Sequence, residues 1–202
     1  MVDRILRPHK ERFLKPVAGT LSQVSPSTVT LVGLLPGLAA ALAIWSGWPL
    51  LAVTLWLLNR MLDGLDGELA RLTGRQSDWG GYLDILADFT VYAAIPLAIA
   101  VRTPTPLVTL SALALLALYY LNTASWMYLA AILEKRGQGS ASSGEATSVT
   151  MPTGLIEGAE TVVFYAAFCL FPTYASYLFI AMSLLLVVTV AQRLRWAQAH
   201  LT

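Results

Sequence analysis

An all-α, polytopic membrane protein is the fold class this sequence predicts: six transmembrane helices preceded by an amphipathic interfacial helix at the N-terminus. Three observations predict it. Of 202 residues, 56% are hydrophobic and only 12% are charged, where a soluble domain carries about 25% charged residues, and the mean hydropathy is +0.64. Apolar runs long enough to cross a bilayer recur between short polar turns. Lys and Arg collect in alternate connections, which orients such a chain across the membrane. No hydrophilic block is long enough to fold separately, so residues 1–202 read as one membrane domain.

Residues 1–24 form the amphipathic arm. Leu6, Phe13, Leu14, Val17 and Leu21 recur at near-helical spacing, with Arg4, Arg7, Lys10, Arg12 and Lys15 mostly elsewhere. Such a segment lies among lipid headgroups with its bases toward anionic lipid, although Pro8 and Pro16 limit its regularity. The arm has no continuous apolar core of the signal-peptide kind and is expected to be retained.

Ser25, Pro26 and Ser27 open the first span, Thr28 to Trp45. Within it Gly33 and Gly37 have the small-xxx-small spacing, read here as close packing, and Pro36 is expected to bend the helix. A turn with Trp48 and Pro49 leads to the second span, Leu50 to about Arg71, and a loop with Arg75 leads to the third, Gly80 to Val101. The fourth, Leu107 to about Leu133, ends in Glu134, Lys135 and Arg136. Residues 137–154 are rich in Gly, Ser and Thr and read as a flexible cytoplasmic loop. The fifth span starts near Leu155 and ends at Phe171, and the sixth runs from about Tyr174 to Ala191.

The arm, the loop after span two, the loop after span four and the C-terminus hold nearly every Lys and Arg. Both termini are therefore expected in the cytoplasm. Cys169, the single cysteine, sits in an apolar run and has no partner for a disulfide or a metal spacing.

The chemistry concentrates between Asp63 and Asp88. Asp63, Asp66, Asp84 and Asp88 are four of only 12 acidic residues, and they lie in membrane-spanning sequence. Each Asp near the middle of a bilayer costs about 2.5 to 3.5 kcal/mol, so four cost roughly 10 to 14 unless compensated. Asp63, Asp66, Gly67, Ala70 and Arg71 share one face of the second helix, and Gly80, Asp84 and Asp88 share one face of the third. Antiparallel neighbours would bring the four carboxylates together, with Gly67, Ala70 and Gly80 leaving room.

Hard oxygen ligands suit Mg²⁺, Mn²⁺ or Ca²⁺ rather than zinc, since His9 and His200 lie in the terminal arms. Four carboxylates exceed the charge of one divalent ion, which favours two, a familiar device for displacement at phosphorus. Arg71 is placed to hold a phosphate oxygen. The bland alternative is a salt-bridge network of these acids with Arg60, Arg71 and Arg75.

The spacing D-x2-D-G-x2-A-R-x8-G-x3-D-x3-D, filled at Asp63, Asp66, Gly67, Ala70, Arg71, Gly80, Asp84 and Asp88, resembles the signature of the CDP-alcohol phosphatidyltransferase family. The six-span layout and the arm are similar to that family too. The resemblance implies a phospholipid-synthesising transferase of the inner (plasma) membrane. It would move a phosphatidyl-type group from a CDP-linked lipid donor, CDP-diacylglycerol, to a small alcohol, releasing CMP. It further implies two divalent cations, Mg²⁺ or Mn²⁺, on Asp63, Asp66, Asp84 and Asp88. Asp88 would also be the general base, and Gly67, Ala70, Arg71 and Gly80 would shape the nucleotide pocket. The active site is expected toward the cytoplasm, and the expected partners are membrane lipids and a second copy in a homodimer, with no nucleic acid.

The acceptor is written less clearly. The fourth span offers Asn122 and Trp126 but no base before Lys135, and the fifth offers Glu157 and Glu160. This favours a non-phosphorylated alcohol, with Glu157 or Glu160 meeting a cationic group and Trp126 supplying an aromatic face. The alternative is a phosphorylated polyol, glycerol phosphate or inositol phosphate, with Lys135, Arg136 or Arg193 folding over the pocket. From other classes, a metal-ion transporter or a membrane scaffold competes. The uncharged outer half of the chain, 45–51 and 168–177, offers no ion path for a transporter.

Overall fold

The computed structural model describes residues 14–138 and 154–201, and among them all regular structure is helical. After the arm six helices follow in order: α1 (Pro26–Ser46), α2 (Pro49–Thr73), α3 (Asp78–Arg102), α4 (Pro106–Lys135), α5 (Gly158–Leu170) and α6 (Ala175–Leu201). A single 3₁₀ turn, Pro172–Tyr174, joins α5 to α6. The expected basic residues at 4–12 and most of the 137–154 loop lie outside the described residues.

Local sequence explains most boundaries. Pro occupies the first turn of α1, α2 and α4, where its missing N–H costs nothing. Ser77 caps α3 by accepting the Gly80 N–H at 3.1 Å, and Thr105 caps α4 by accepting the Val108 N–H at 3.2 Å. Gly47 and Gly74 end α1 and α2 in the left-handed conformation, φ 84° and 63°. Arg102, from the end of α3, lies over Gly47 and donates to the Trp45 carbonyl at 2.5 Å. This base, isolated in the sequence from the other Lys and Arg clusters, thus caps a helix end.

Two boundaries differ from the sequence expectation. The last helix continues to Leu201 instead of stopping near Ala191, because Gln192 to Gln198 contains only helix-compatible residues. Arg136 then closes its end by donating to the carbonyls of His200 at 3.3 Å and Leu201 at 2.9 Å. The fifth helix has only 13 residues, about 20 Å of rise against a hydrocarbon core of about 30 Å. Among the described residues four segments are long and apolar enough to span a membrane: α1, α3, α4, and α6 with its preceding turn. The chain is an integral membrane protein; α2 matches the others in length, but its C-terminal half carries the charged stretch.

Packing follows small residues. α1 lies along both α2 and α3, α4 along α6, and α5 against α2, α3 and α6. A Cβ at Gly37 would stand 2.5 Å from Val91 Cγ2 and 3.0 Å from Asn59 Nδ2, and one at Gly33 would stand 3.1 Å from Leu62 Cβ. The two glycines therefore let α1 sit against both acidic helices, as their spacing implies. Trp56, Tyr165, Phe168, Phe179, Met182 and Leu186 fill the centre of the bundle. Leu31, Leu35 and Leu42 on α1 and Leu107, Leu110 and Leu113 on α4 face outward, the reverse of a soluble protein and the pattern lipid demands.

The described part of the arm is helical over 14–20 and docks through Ala18 onto Val29, Leu65 and Leu69. Arg75 ties it down from the α2–α3 loop, donating to the carbonyls of Ser22 at 2.5 Å and Val24 at 3.2 Å.

Candidate active site

The acidic faces of α2 and α3 meet across a cleft, and α1 is what holds them there. The backbones of α2 and α3 approach each other little, and each lies instead along α1; it is side chains, Trp56 and Arg60 with Tyr92 and Asp88, that bridge the two. Thr30, Gly33 and Leu34 of α1 form one wall, and Asn59, Arg60, Asp63, Asp66, Asp84 and Asp88 line the rest. Carboxylate oxygens of Asp63, Asp84 and Asp88 all lie within 4.8 Å of one another. Oxygens bound to one divalent ion at about 2.1 to 2.6 Å are separated by no more than about 5 Å, so the donor set fits a hard cation.

Asp66 lines the same cleft from a more buried position, 6% exposed, and accepts a hydrogen bond from Thr30 Oγ1 at 2.5 Å. All four aspartates of the sequence motif therefore face one space. Of the bases weighed as their partners, Arg60 pairs with them: Nη2 contacts Asp88 Oδ1 at 2.5 Å and Nη1 stands 3.7 Å from Asp63 Oδ2. Arg71 pairs with Glu68 Oε2 at 2.8 Å, and Arg75 binds backbone carbonyls. The structure thus contains one element of the salt-bridge alternative and leaves Arg71 aimed elsewhere.

The small residues sit where they leave space. A Cβ on Gly67 would lie 3.5 Å from Arg71 Nη1, so this glycine lies beneath the guanidinium. Gly80 is in the first turn of α3, with Ser77 Oγ 3.2 Å and Ser27 Oγ 4.0 Å from the position of a Cβ. Ala70 lies one helical turn from Asp66 and Gly67 and is half-buried.

The four residues expected to face the acceptor lie on two elements, and Arg193 stands between them. Asn122 Oδ1 accepts from Arg193 Nη1 at 2.6 Å, and Trp126 lies one turn further along α4, half-buried. The other side of Arg193 meets the turn before α5, with Nη2 3.6 Å from the position of a Cβ on Gly154 and Glu157 close enough to act on its charge. Glu160 Oε2 accepts the Glu157 N–H at 3.1 Å, a capping-box bond at the start of α5, and Glu157 Oε1 accepts the Gly154 N–H at 3.2 Å, which ties down the preceding turn.

Depth in the bundle can be read from an aromatic stack. Tyr92 of α3 and Tyr119 of α4 are stacked with centroids 6.1 Å apart. Asp88 precedes Tyr92 by one turn and Asn122 follows Tyr119 by about one turn, both toward the end of the bundle that carries Arg75 and Lys135. The Asn122–Arg193 pair therefore occupies the same layer as Asp88, about 6 Å from the tyrosines. Arg193 is 3% exposed.

Sequence reasoning did not single out Thr30, Glu68 or Tyr92, and it offered Arg193 only as one of three bases able to fold over the pocket. Glu68 had a usable signal, an acid within reach of Arg71 at i, i+3. Asn59 and Arg60 had one too, adjacent polar residues inside an apolar run. The pairings of Thr30 and Arg193 had none, because their partners lie 36 and 71 residues away.

Comparison with known proteins agrees with this geometry. The family model for CDP-alcohol phosphatidyltransferase matches residues 23–197. The inner membrane protein YnjF of Escherichia coli (strain K12) is 35% identical over 176 residues, covering 86% of this chain and 84% of that protein. Two matches are partial. The archaetidylinositol phosphate synthase of Pyrococcus horikoshii is 34% identical over 97 residues, 47% of this chain and 52% of that protein. The phosphatidylinositol phosphate synthase of Streptomyces avermitilis is 36% identical over 101 residues, 47% of this chain and 40% of that protein.

In fold, the chain resembles the phosphatidylinositol phosphate synthase of Mycobacterium tuberculosis, whose crystal structure has CDP-DAG bound. The TM-score is 0.70 at 24% identity, covering 91% of this chain and 92% of that one. A second crystal structure of that protein, in complex with manganese and citrate, gives a TM-score of 0.68 at 22% identity over 90% and 87% of the two chains. With a family model over 23–197 and a relative aligned along most of both chains, this protein belongs to the CDP-alcohol phosphatidyltransferase family.

Proposed function

We propose that this enzyme, one membrane domain over residues 1–202, transfers a phosphatidyl-type group from CDP-diacylglycerol to a small alcohol and releases CMP. The observation that carries the reading is the convergence of Asp63, Asp84 and Asp88 oxygens within 4.8 Å at one end of the bundle, with Asp66 in the same cleft. Asp63, Asp66 and Asp84 would hold divalent cations, Mg²⁺ or Mn²⁺, and Asp88 would complete a second position. When bound, such ions supply Lewis-acid polarisation of the pyrophosphate and neutralise charge on the departing CMP.

The remaining steps belong to the chain. Arg71, oriented by Glu68, binds a phosphate oxygen of the nucleotide, over the space left by Gly67, Ala70 and Gly80. Asp88 accepts the proton of the attacking hydroxyl as the new P–O bond forms and the bond to CMP breaks. The basic arm, the Arg75 loop and the Lys135 end support a site and both termini toward the cytoplasm, where a soluble nucleotide leaves and acyl chains stay in lipid. Six crossings, with α2 and the short α5 included, an inner-membrane location and a homodimer complete the reading.

A non-phosphorylated alcohol remains the acceptor that α4, with no base before Lys135, supports. One observation favours a second reading: Arg193, buried beside Asn122 in the layer of Asp88, supplies the base that α4 lacks, and a phosphorylated polyol would use it. The experiment is CMP release by purified protein with CDP-diacylglycerol, Mg²⁺ or Mn²⁺, and a panel containing serine, glycerol, glycerol phosphate and inositol phosphate. Metal-dependent release with at least one alcohol is expected, and the panel decides between acceptors. No CMP from any combination, together with metal-dependent ion flux in liposomes, would overturn the transferase reading in favour of transport.

A further inference from the structure

Arg60 is not a residue of the eight-position motif, yet it is the most elaborately held side chain in the cleft. Nε and Nη2 donate to Asn59 Oδ1 at 2.9 and 2.8 Å, Nη1 donates to the Tyr92 hydroxyl at 3.0 Å, and Nη2 donates to Asp88 Oδ1 at 2.5 Å. The guanidinium carbon stands 4.7 Å from the Trp56 ring centre and 5.3 Å from that of Tyr92. These supports are themselves fixed. Asn59 Nδ2 donates to the Gly33 carbonyl at 2.8 Å, Trp56 Nε1 to the Val162 carbonyl at 3.2 Å, and the Tyr165 hydroxyl to the Tyr92 carbonyl at 2.7 Å.

A guanidinium used merely to solvate or to pair at a surface does not require four helices to fix it. Here it is 10% exposed and bridges Asp63 and Asp88, two of the three carboxylates that converge. Like charges at such separations repel strongly away from water. One positive charge set against four carboxylates leaves the cleft negative enough to attract cations while easing repulsion between its members.

We propose that Arg60 is the resident counter-ion of the cleft: it holds Asp63 and Asp88 in register before any metal binds, and it tunes down the affinity with which the cleft takes a divalent cation. This rests on the reading of the cleft as a metal site. Arg60 is a positioning residue acting through Asp88, whose second oxygen accepts from the Tyr92 hydroxyl at 3.2 Å. Because Trp56, Tyr92 and Asn59 prevent the guanidinium from swinging away, an incoming ion meets it as a fixed neighbour. Removing its charge makes the carboxylates better ligands and the metal-free protein less stable.

The test uses the full chain in detergent: Mn²⁺ titration by calorimetry and thermal unfolding with and without Mn²⁺, on wild type, Arg60→Gln, Arg60→Lys and Asp63→Asn. Arg60→Gln is expected to bind Mn²⁺ about tenfold more tightly, to melt lower than wild type without metal and to recover with it. Arg60→Lys keeps the charge and loses the planar fork, so its Mn²⁺ affinity stays within about threefold of wild type while kcat falls at unchanged donor KM. Equal or weaker Mn²⁺ binding by Arg60→Gln overturns the proposal. If that variant cannot be purified even with Mn²⁺, a change of more than about threefold in Mn²⁺ affinity for Arg60→Lys overturns it instead, and an affinity within about threefold supports it. Wild type without saturable Mn²⁺ binding that Asp63→Asn weakens overturns the metal reading as well, which separates the two failures.

Discussion

Replacing Asp88 by Asn tests the assignment of the base while leaving most of its surroundings intact. The amide is nearly isosteric, and its carbonyl oxygen can take the place of Asp88 Oδ1, which accepts from Arg60 Nη2 at 2.5 Å. What disappears is the negative charge and the ability to take a proton. The ion pair is partly open, with the carboxylate 25% exposed, so its loss is discounted for solvent screening to about 1 kcal/mol. In a protein of this size that lowers the melting temperature by about 2 to 4 °C. Loss of a positioned base costs about 10² to 10⁴ in rate, and Asp88 also completes the proposed cation site, so transfer falls toward the upper end or beyond detection. The assay pairs CMP release with expression level and thermal unfolding. Near-normal turnover in a folded Asp88→Asn protein would refute the base assignment; a protein that fails to express would show that the charge is needed for folding.

Three other substitutions address the supporting structure. Thr30→Val removes a hydroxyl that donates to a buried carboxylate, which should cost about 1.5 to 3 kcal/mol and lower the melting temperature, while Thr30→Ser should retain it. Equal stability of the Val and Ser variants would show the contact to be unimportant. Gly37→Val places a side chain against Val91 and Asn59, so α1 must move off the acidic helices at a cost of about 1 to 3 kcal/mol; activity should fall with stability, and a fully active variant would refute the role of α1 as the common support. Glu160→Gln keeps an oxygen for the Glu157 N–H and should leave stability and the acceptor KM unchanged, whereas a tenfold rise in that KM would return the carboxylate to the acceptor pocket.

The acidic half of the site was legible because helical periodicity alone places Asp63 and Asp66 on one face and Asp84 and Asp88 on another, and because carboxylates in lipid demand compensation. The glycine spacing in α1 announced close packing without saying against what; the answer, α2 and α3 together, is a tertiary fact. The capping role of Glu160 was hidden because an acid near a helix start reads equally as a cap or a ligand. The Asn122–Arg193 pair was out of reach, since no local pattern joins residues 71 positions apart. The sequence predicts a fifth span from about Leu155 to Phe171, and the helix is shorter mainly at its start, Gly158, because Glu157 caps it there.

The support of α2 and α3 by α1 has a mechanical consequence. Side chains packed between two helices must be pulled apart before the helices separate, and between these two they include Trp56 against Tyr92, ring centres 6.1 Å apart, and Arg60 with Tyr92 and Asp88. A change in their spacing would be resisted by that ring contact and by the carboxylates and the arginine at the cleft, the last being the groups that a cation and a nucleotide engage. Substrate arrival and jaw movement would then draw on one set of contacts, while the glycine-lined seam along α1 stays closed.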